Sequence, residues 1–195
     1  MAIERLSQAS ILTLNKYSSM NAGAVSDYQL LSSTTLGGSQ ASITFTSDAT
    51  WANFKHLQIR GVARTDVASI YVDSRIRFNG DSGANYSTHE MYGAGGSAPT
   101  SGGAASQNQL NIFYSAGSTA ATYIFAPFTI DILDAFSTTK NKTARSLSGV
   151  VASSNLIDLR SGAWYSTSAI TSININLASG NFIAGSRFSL YGLKG

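Results

Sequence analysis

The chain has 195 residues, and thirteen Lys and Arg against ten Asp and Glu give it a net charge of +3. Charged residues make up 12% of the chain, about half of the usual 25%, which argues against nucleic-acid binding driven by counterion release. The absence of cysteine excludes a disulfide framework and a thiolate metal site. The longest apolar run, residues 123–128, is far shorter than the ~20 residues of a membrane helix, so no membrane partner is expected.

The first 27 residues differ from the rest of the chain. Their apolar side chains fit a helical stripe, while residues 10–14 alone fit a single strand equally well, and no signal peptide is evident. We therefore predict an attachment arm over residues 1–27 and a folded domain over residues 28–195. The arm carries seven apolar residues whose burial would contribute hydrophobic free energy, and we expect them to contact a neighbouring subunit or the particle. They are Ile3, Leu6, Ile11, Leu12, Leu14, Tyr17 and Met20.

From residue 28 onward the hydrophobic pattern has a period of two, which is typical of half-buried strands. In residues 170–177, for example, Ile173, Ile175 and Leu177 share one face and polar residues occupy the other. The pattern predicts ten strands, at residues 28–35, 41–46, 55–64, 70–78, 109–115, 122–133, 143–151, 156–164, 170–177 and 187–193. This spacing indicates an all-β fold, a two-sheet antiparallel β-sandwich of jelly-roll type, with a closed barrel as the alternative.

Two segments between these strands are interpreted differently. Residues 93–106 consist of small or polar residues and are predicted to form a mobile surface loop. His89 and Glu90 lie in a polar connection that is compatible with one helical turn.

The tetrapeptide Gly-Asp-Ser-Gly at residues 80–83 matches the nucleophile motif of chymotrypsin-like proteases, and His56 precedes it in the chain. In those enzymes most of the domain separates the histidine from the serine, whereas 26 residues separate His56 from Ser82 here. Asn79-Gly80 is also a strong hairpin-turn signal. The motif is therefore interpreted as a turn, and the protein is not expected to be an enzyme.

Metal and cofactor sites have little support in the sequence. Asn79, Asp81 and Asn85 alternate in one loop and offer oxygen ligands for calcium, but the loop lacks the acidic count and the closing glutamate of a dedicated site. His56 and His89 have no metal-ligand spacing. We expect no cofactor, no resident metal and no catalytic residue.

The arginines suggest an interaction surface. Arg60 and Arg64 lie on the polar face of one predicted strand, and Arg75 and Arg77 lie on that of the next. One interpretation is a solvated outer face, paired with nearby aspartates. The other is a subunit interface, because arginine is enriched at interfaces and the rest of this surface is poor in charge.

Several segments resemble a family of small virion proteins of tailed bacteriophages, including phages of cyanobacteria and of environmental samples. The resemblance spans nearly the whole chain and is carried by residues 15–20, 55–61, 76–86, 131–134, 142–149, 161–164 and 179–195. It implies a structural role in the virion rather than a reaction, and it carries over no site residues.

The resulting expectation is a homotrimeric capsid cement or decoration protein on the outside of the head, assembled in the host cytoplasm with the major capsid protein or other virion proteins. The alternative is a tail-fibre or receptor-binding domain that contacts host surface carbohydrate. The aromatic side chains considered for that contact are Tyr86, Tyr92, Trp164 and Tyr165.

Deleting residues 1–27 tests the division of the chain. The variant is expected to unfold at nearly the temperature of the full chain, because every predicted strand of the two sheets begins at residue 28 or later. It is expected to lose incorporation into particles. Thermal unfolding and particle incorporation are measured side by side, and loss of folding would show that the arm belongs to the core.

Overall fold

The computed structural model describes residues 26–151 and 155–195. All seven apolar arm residues named above lie outside these ranges. The described part contains twelve strands and one short 3-10 turn at Trp51–Asn53. The strands are β1 (Tyr28–Thr35), β2 (Ser42–Thr46), β3 (His56–Ala63), β4 (Tyr71–Phe78), β5 (Tyr86–Ala94), β6 (Thr100–Gln107), β7 (Leu110–Ala116), β8 (Ala126–Leu133), β9 (Lys142–Val150), β10 (Leu156–Trp164), β11 (Ser172–Leu177) and β12 (Arg187–Leu193).

The strands form two antiparallel sheets that pack face to face, which confirms the predicted sandwich and not the closed barrel. The larger sheet has eight strands in the order β1-β12-β3-β8-β9-β10-β5-β6, and the smaller has the order β2-β11-β4-β7. The strand orders β1-β12-β3-β8 and β2-β11-β4-β7 alternate along the chain, which changes sheet at each step of the path β1-β2-β3-β4. This alternation is the jelly-roll topology. The hairpins β5–β6 and β9–β10 are additions that extend the larger sheet.

The core lies between the sheets and follows the predicted alternation. Ile173, Ile175 and Leu177 of β11 are buried, as the period-two pattern predicts. Phe113 of β7 stacks on Phe128 of β8 at a centroid separation of 3.9 Å, so the two sheets meet through aromatic rings. Among the described residues, no helix has the length and hydropathy needed to cross a bilayer.

The predicted loop at residues 93–106 is wrong over most of its length. Strand β5 runs to Ala94, the chain reverses at Gly95 with a φ of 58°, and β6 runs back along β5. The helical turn considered at His89 and Glu90 is wrong as well, because both residues lie in β5. Small residues have weak strand propensity, but the backbone pairing with β5 outweighs it.

Two buried serines join the sheets at the edge strand β7. Ser146 Oγ of β9 donates to the carbonyl oxygen of Ile112. Ser148 Oγ accepts the backbone N–H of Tyr114 at 3.2 Å and donates to Asp158 Oδ2 at 3.1 Å. These hydroxyls satisfy backbone groups of an edge strand that would otherwise be buried without partners.

Replacing Ser148 with alanine is therefore expected to destabilise the fold. The substitution removes the acceptor of a buried N–H and the donor to a buried carboxylate, which costs about 1–3 kcal/mol. Urea unfolding measures the change in the free energy of unfolding. Ser161→Ala, on the exposed face of β10, is the control and is expected to change that free energy by less than about 0.5 kcal/mol. Equal effects of the two substitutions would contradict the role given to Ser148.

Candidate functional site

The solvent face of the eight-stranded sheet carries a patch of exposed aliphatic side chains. Leu159 of β10 is paired with Leu147 of β9 on one side and with Met91 of β5 on the other. Their exposed fractions are 47%, 51% and 51%, and that of the nearby Ile157 is 61%. We call Met91, Leu147, Ile157 and Leu159 the aliphatic patch. A contiguous apolar surface of this kind marks an interaction site more often than isolated exposed residues do.

A row of polar contacts lies beside the aliphatic patch on the same face. Asp131 Oδ1 accepts from Gln58 Nε2 at 2.7 Å, and Asp131 Oδ2 accepts from Arg145 Nε at 3.1 Å. Tyr28 Oη donates to Gln58 Oε1 at 2.9 Å, and the Tyr28 ring stacks on Tyr191 at 4.7 Å. The row joins side chains of β1, β12, β3, β8 and β9 across this face.

A shallow groove of about 1050 Å³ crosses the face from β1 to β10. Leu147 and Ile157 of the aliphatic patch line it, together with the side chains of Arg60 and Arg187. Both arginines are exposed, and neither forms an ion pair within residues 26–151 and 155–195. In the part of the chain that the structure describes, the residues that line the groove include no aspartate or glutamate. The groove is therefore both cationic and apolar.

Arg64 does not lie on an exposed strand face. Its side chain is buried, and its two Nη atoms donate to four carbonyl oxygens of residues 118–124 at 2.8–3.1 Å. The expectation of a polar-face residue is wrong because β3 ends at Ala63, and Arg64 turns inward to hold the segment before β8. Its guanidinium is consequently not available for an intersubunit contact.

The other arginines lie on opposite sides of the molecule. Arg60 is in the larger sheet, whereas Arg75 and Arg77 are in β4 of the smaller sheet. Arg75 Nε donates to Asn111 Oδ1 at 3.1 Å, and Arg77 Nη2 lies 3.4 Å from Gln109 Oε1. These three arginines do lie on consecutive strands, as predicted, but they do not share one surface, because the chain crosses between the sheets after β3.

Residues 79 and 80 form a turn, as predicted, but the segment that follows leads from β4 to β5 of the other sheet, so the turn does not close a hairpin. The Asp81 N–H donates to the Phe78 carbonyl oxygen at 2.9 Å, and the two residues between them, Asn79 and Gly80, have φ angles of 52° and 68°, as a type I′ turn requires. Asp81 accepts hydrogen bonds from Trp164 Nε1 at 2.7 Å and from the Gly83 N–H at 2.8 Å. These hydrogen bonds lower the pKa of Asp81, and the bond from Trp164 has the largest effect. The carboxylate of Asp81 therefore stabilises the turn and the position of Trp164. The described ranges contain no cluster of three His, Asp or Glu side chains placed to bind a metal.

His56 and Ser82 occupy unrelated positions. His56 begins β3 in the larger sheet, and its Nδ1 accepts the Asp134 N–H at 2.9 Å. Ser82 follows β4 of the smaller sheet in the segment just described. His56 and Ser82 therefore follow each other in the chain in the protease order, but they belong to different sheets and have different hydrogen-bond partners.

Two of the four aromatic residues considered for carbohydrate contact are in the core. The Tyr86 and Trp164 rings stack at 6.2 Å, and both side chains are buried. Tyr92 is half-buried against a core cluster, whereas Tyr165 is exposed and its Oη lies 3.0 Å from Ser87 Oγ. A ring platform built from these four residues is excluded.

The sequence interpretation missed a charge cluster around a buried arginine, in which Asp158 is buried and the other two carboxylates are partly exposed. Arg160 of β10 is fully buried, and its Nε lies 2.8 Å from Asp158 Oδ2. Its Nη1 lies 2.8 Å from Asp73 Oδ1 of β4, and its Nη2 lies 2.9 Å from Glu90 Oε2 of β5. The guanidinium carbon is 4.1 Å from the centre of the Tyr114 ring in β7. One side chain therefore joins four strands from both sheets.

Burial raises the pKa of Asp158 to about 6, and the attraction of Arg160 only partly opposes this. Three carboxylates share one guanidinium, and Glu90 adds repulsion to the desolvation of Asp158. For Arg160 the balance is the reverse. Burial lowers its pKa, but the adjacent Asp158 and Asp73 more than compensate and raise it, so the guanidinium stays charged.

The fold should consequently lose stability relative to an Asp158→Asn variant as pH rises. The folded-state pKa of about 6 exceeds the unfolded value of 3.8, so the folded state binds the proton more tightly. That contribution is fully present below pH 3.8 and is lost as pH rises through about 6. Urea unfolding of both proteins between about pH 4 and pH 8 measures the difference in free energy of unfolding. A wild-type protein that gains stability relative to the variant over this window would contradict the assignment.

The chain matches no family model, no curated protein and no solved structure.

Proposed function

We propose that the chain is a non-enzymatic structural component of a tailed-phage particle, a capsid cement or decoration subunit on the outside of the head. The observation that carries the proposal is the aliphatic patch. Met91, Leu147, Ile157 and Leu159 lie on regular strands and have about half of their surface exposed. A partner that covers them gains hydrophobic free energy, and the strands need not rearrange to receive it.

The construction of the sheet supports a role in assembly. The Gln58–Asp131–Arg145 contacts and the Tyr28–Tyr191 stack hold the surface beside the patch in place. A surface that is ordered before binding loses little conformational entropy when it is covered. The low charge content of the chain also reduces the cost of removing water from such an interface.

The sequence resemblance to phage virion proteins supports the same proposal. The resemblance suggests that the partner of the patch belongs to a phage particle. The predicted arm at residues 1–27, with its seven apolar side chains, provides a second element for attachment. The proposed partners are the major capsid protein or another virion protein, with the chain itself as a homotrimer.

A receptor-binding fibre domain is the second candidate. It is supported by the open groove on the sheet face, which is large enough for an oligosaccharide. The burial of Tyr86 and Trp164 removes the aromatic platform on which that candidate depended, so the structural subunit is preferred.

Localisation on the particle distinguishes the two candidates. Gold-labelled antibodies against the chain, applied to purified virions of the encoding phage, are expected to cover the head. Labelling confined to the tail would favour the fibre domain, and unlabelled virions would refute both. Light scattering of the purified chain is expected to give three times the monomer mass.

The double substitution Leu147→Ser and Leu159→Ser tests the aliphatic patch directly. It is expected to weaken attachment to heads at least about tenfold, which corresponds to about 1.4 kcal/mol of binding free energy. Thermal unfolding should change little, because both side chains point into solvent. Tyr123→Ser is the matched control, since Tyr123 is 90% exposed and lies outside the patch. Undiminished attachment of the double variant would refute the role of the patch.

A further inference from the structure

We propose that the groove beside the aliphatic patch binds an extended acidic segment of a partner protein, with carboxylates on Arg60 and Arg187 and aliphatic side chains on Leu147 and Ile157. The identification of that partner as a virion protein rests on the proposed function. The chemistry of the segment follows from the groove alone.

The spacing of the two arginines suits an extended chain. Arg60 of β3 is paired with Ser189 of β12, and Arg187 lies two residues away from Ser189 along β12. The Cβ atoms of such diagonal neighbours are about 7–8 Å apart, and the line that joins them runs obliquely to the strands. Alternate side chains of an extended segment are separated by about 6.6–6.8 Å. Acidic residues at alternate positions of a segment that crosses the strands obliquely at this point therefore lie within reach of both long arginine side chains.

The charge of the groove favours an acidic occupant. Within the described residues, no carboxylate lines it, and neither Arg60 nor Arg187 has an ion-pair partner. The nearby Arg145 is already paired with Asp131. A guanidinium binds a carboxylate through two parallel hydrogen bonds, which lysine cannot provide. A second copy docked face to face would bring like charges together and is disfavoured.

The apolar part of the groove favours a peptide over a saccharide. Leu30, Leu147, Val151 and Ile157 line it and are all at least half exposed. An acidic saccharide offers charge but leaves these side chains in contact with hydroxyl groups or water. A peptide with leucine or isoleucine beyond its acidic residues covers them and gains hydrophobic free energy.

The length of the groove sets the length of the segment. Leu30 lies on β1 and Ile157 on β10, and five strand-to-strand intervals separate these strands. At about 4.8 Å per interval the groove spans about 24 Å, which corresponds to about seven extended residues. Two acidic and two aliphatic side chains at alternate positions fit within that length.

The test uses the purified full-length chain and a synthetic peptide, blocked at both ends, of sequence Glu-Ser-Glu-Ser-Leu-Ser-Leu-Ser. A second peptide carries lysine in place of both glutamates. Titration calorimetry is expected to give at least about tenfold tighter binding of the glutamate peptide, with an affinity that falls as salt concentration rises. Equal affinity for the two peptides, or no binding of either at millimolar concentration, would overturn the proposal.

Paired variants locate the binding. Arg60→Gln with Arg187→Gln is expected to weaken binding of the glutamate peptide at least about tenfold, and Leu147→Ser with Ile157→Ser is expected to weaken it as well. Arg75→Gln with Arg77→Gln makes the same charge change on the opposite sheet and should leave the affinity within about twofold. Equal losses in both arginine pairs would overturn the assignment to this groove.

Two further outcomes separate this proposal from the alternatives. Tighter binding of a galacturonate oligomer than of the glutamate peptide would overturn the peptide assignment in favour of a saccharide. The peptide measurement uses no particles, so unlabelled virions would refute the proposed function while leaving the groove result intact. Labelled heads without peptide binding would refute the groove proposal alone.

Discussion

The buried guanidinium of Arg160 is the constraint on which much of this structure depends. A buried charge is tolerated only when it is paired, and three carboxylates on β10, β4 and β5 surround it. Asp158 and Arg160 are two residues apart in one strand and therefore occupy the same face. With that face turned inward, Ile157 and Leu159 must point outward. The exposure of Ile157 and Leu159 in the aliphatic patch is thus coupled to the burial of Asp158 and Arg160 in the same strand.

The unequal size of the two sheets accounts for part of the serine content of the chain. The hairpins β5–β6 and β9–β10 widen the larger sheet to eight strands, while the smaller sheet has only four. The interior next to β7 is consequently filled by groups that form hydrogen bonds, including Ser146 and Ser148. Part of the serine content serves the interior of the sandwich rather than its surface.

The sequence was sufficient to predict the sandwich and most of its strands, because their alternation is regular. The predicted bounds 28–35, 156–164 and 187–193 coincide with β1, β10 and β12. It was insufficient for β6, whose residues have almost no side-chain preference for a strand and depend on pairing with β5. Tertiary pairing of this kind leaves no periodic signal in the sequence.

The candidate site was predicted less well, for a related reason. A period of two shows which residues share a face but not which face is buried, and in β10 the charged face is the inner one. The pattern also gave no indication that Arg64 leaves its strand or that β3 and β4 belong to different sheets. The sequence made Arg60 a candidate through its place on the polar face of a strand, with a solvated face as the other interpretation, whereas nothing in it indicates that Arg187 lies beside Arg60, because the pairing of β12 with β3 cannot be predicted from the sequence.

The pairing of β1 with β12 has a mechanical consequence. Tyr28 is paired with Leu193 and Thr35 with Arg187, so residues 28 and 193 lie at the same end of an antiparallel pair. A pulling force applied between these two residues acts across the strands and loads their hydrogen bonds one after another, which is the unzipping geometry. A force applied between residues 35 and 193 acts along the strands and loads the whole row of bonds at once. The domain therefore resists tension very differently according to where it is held.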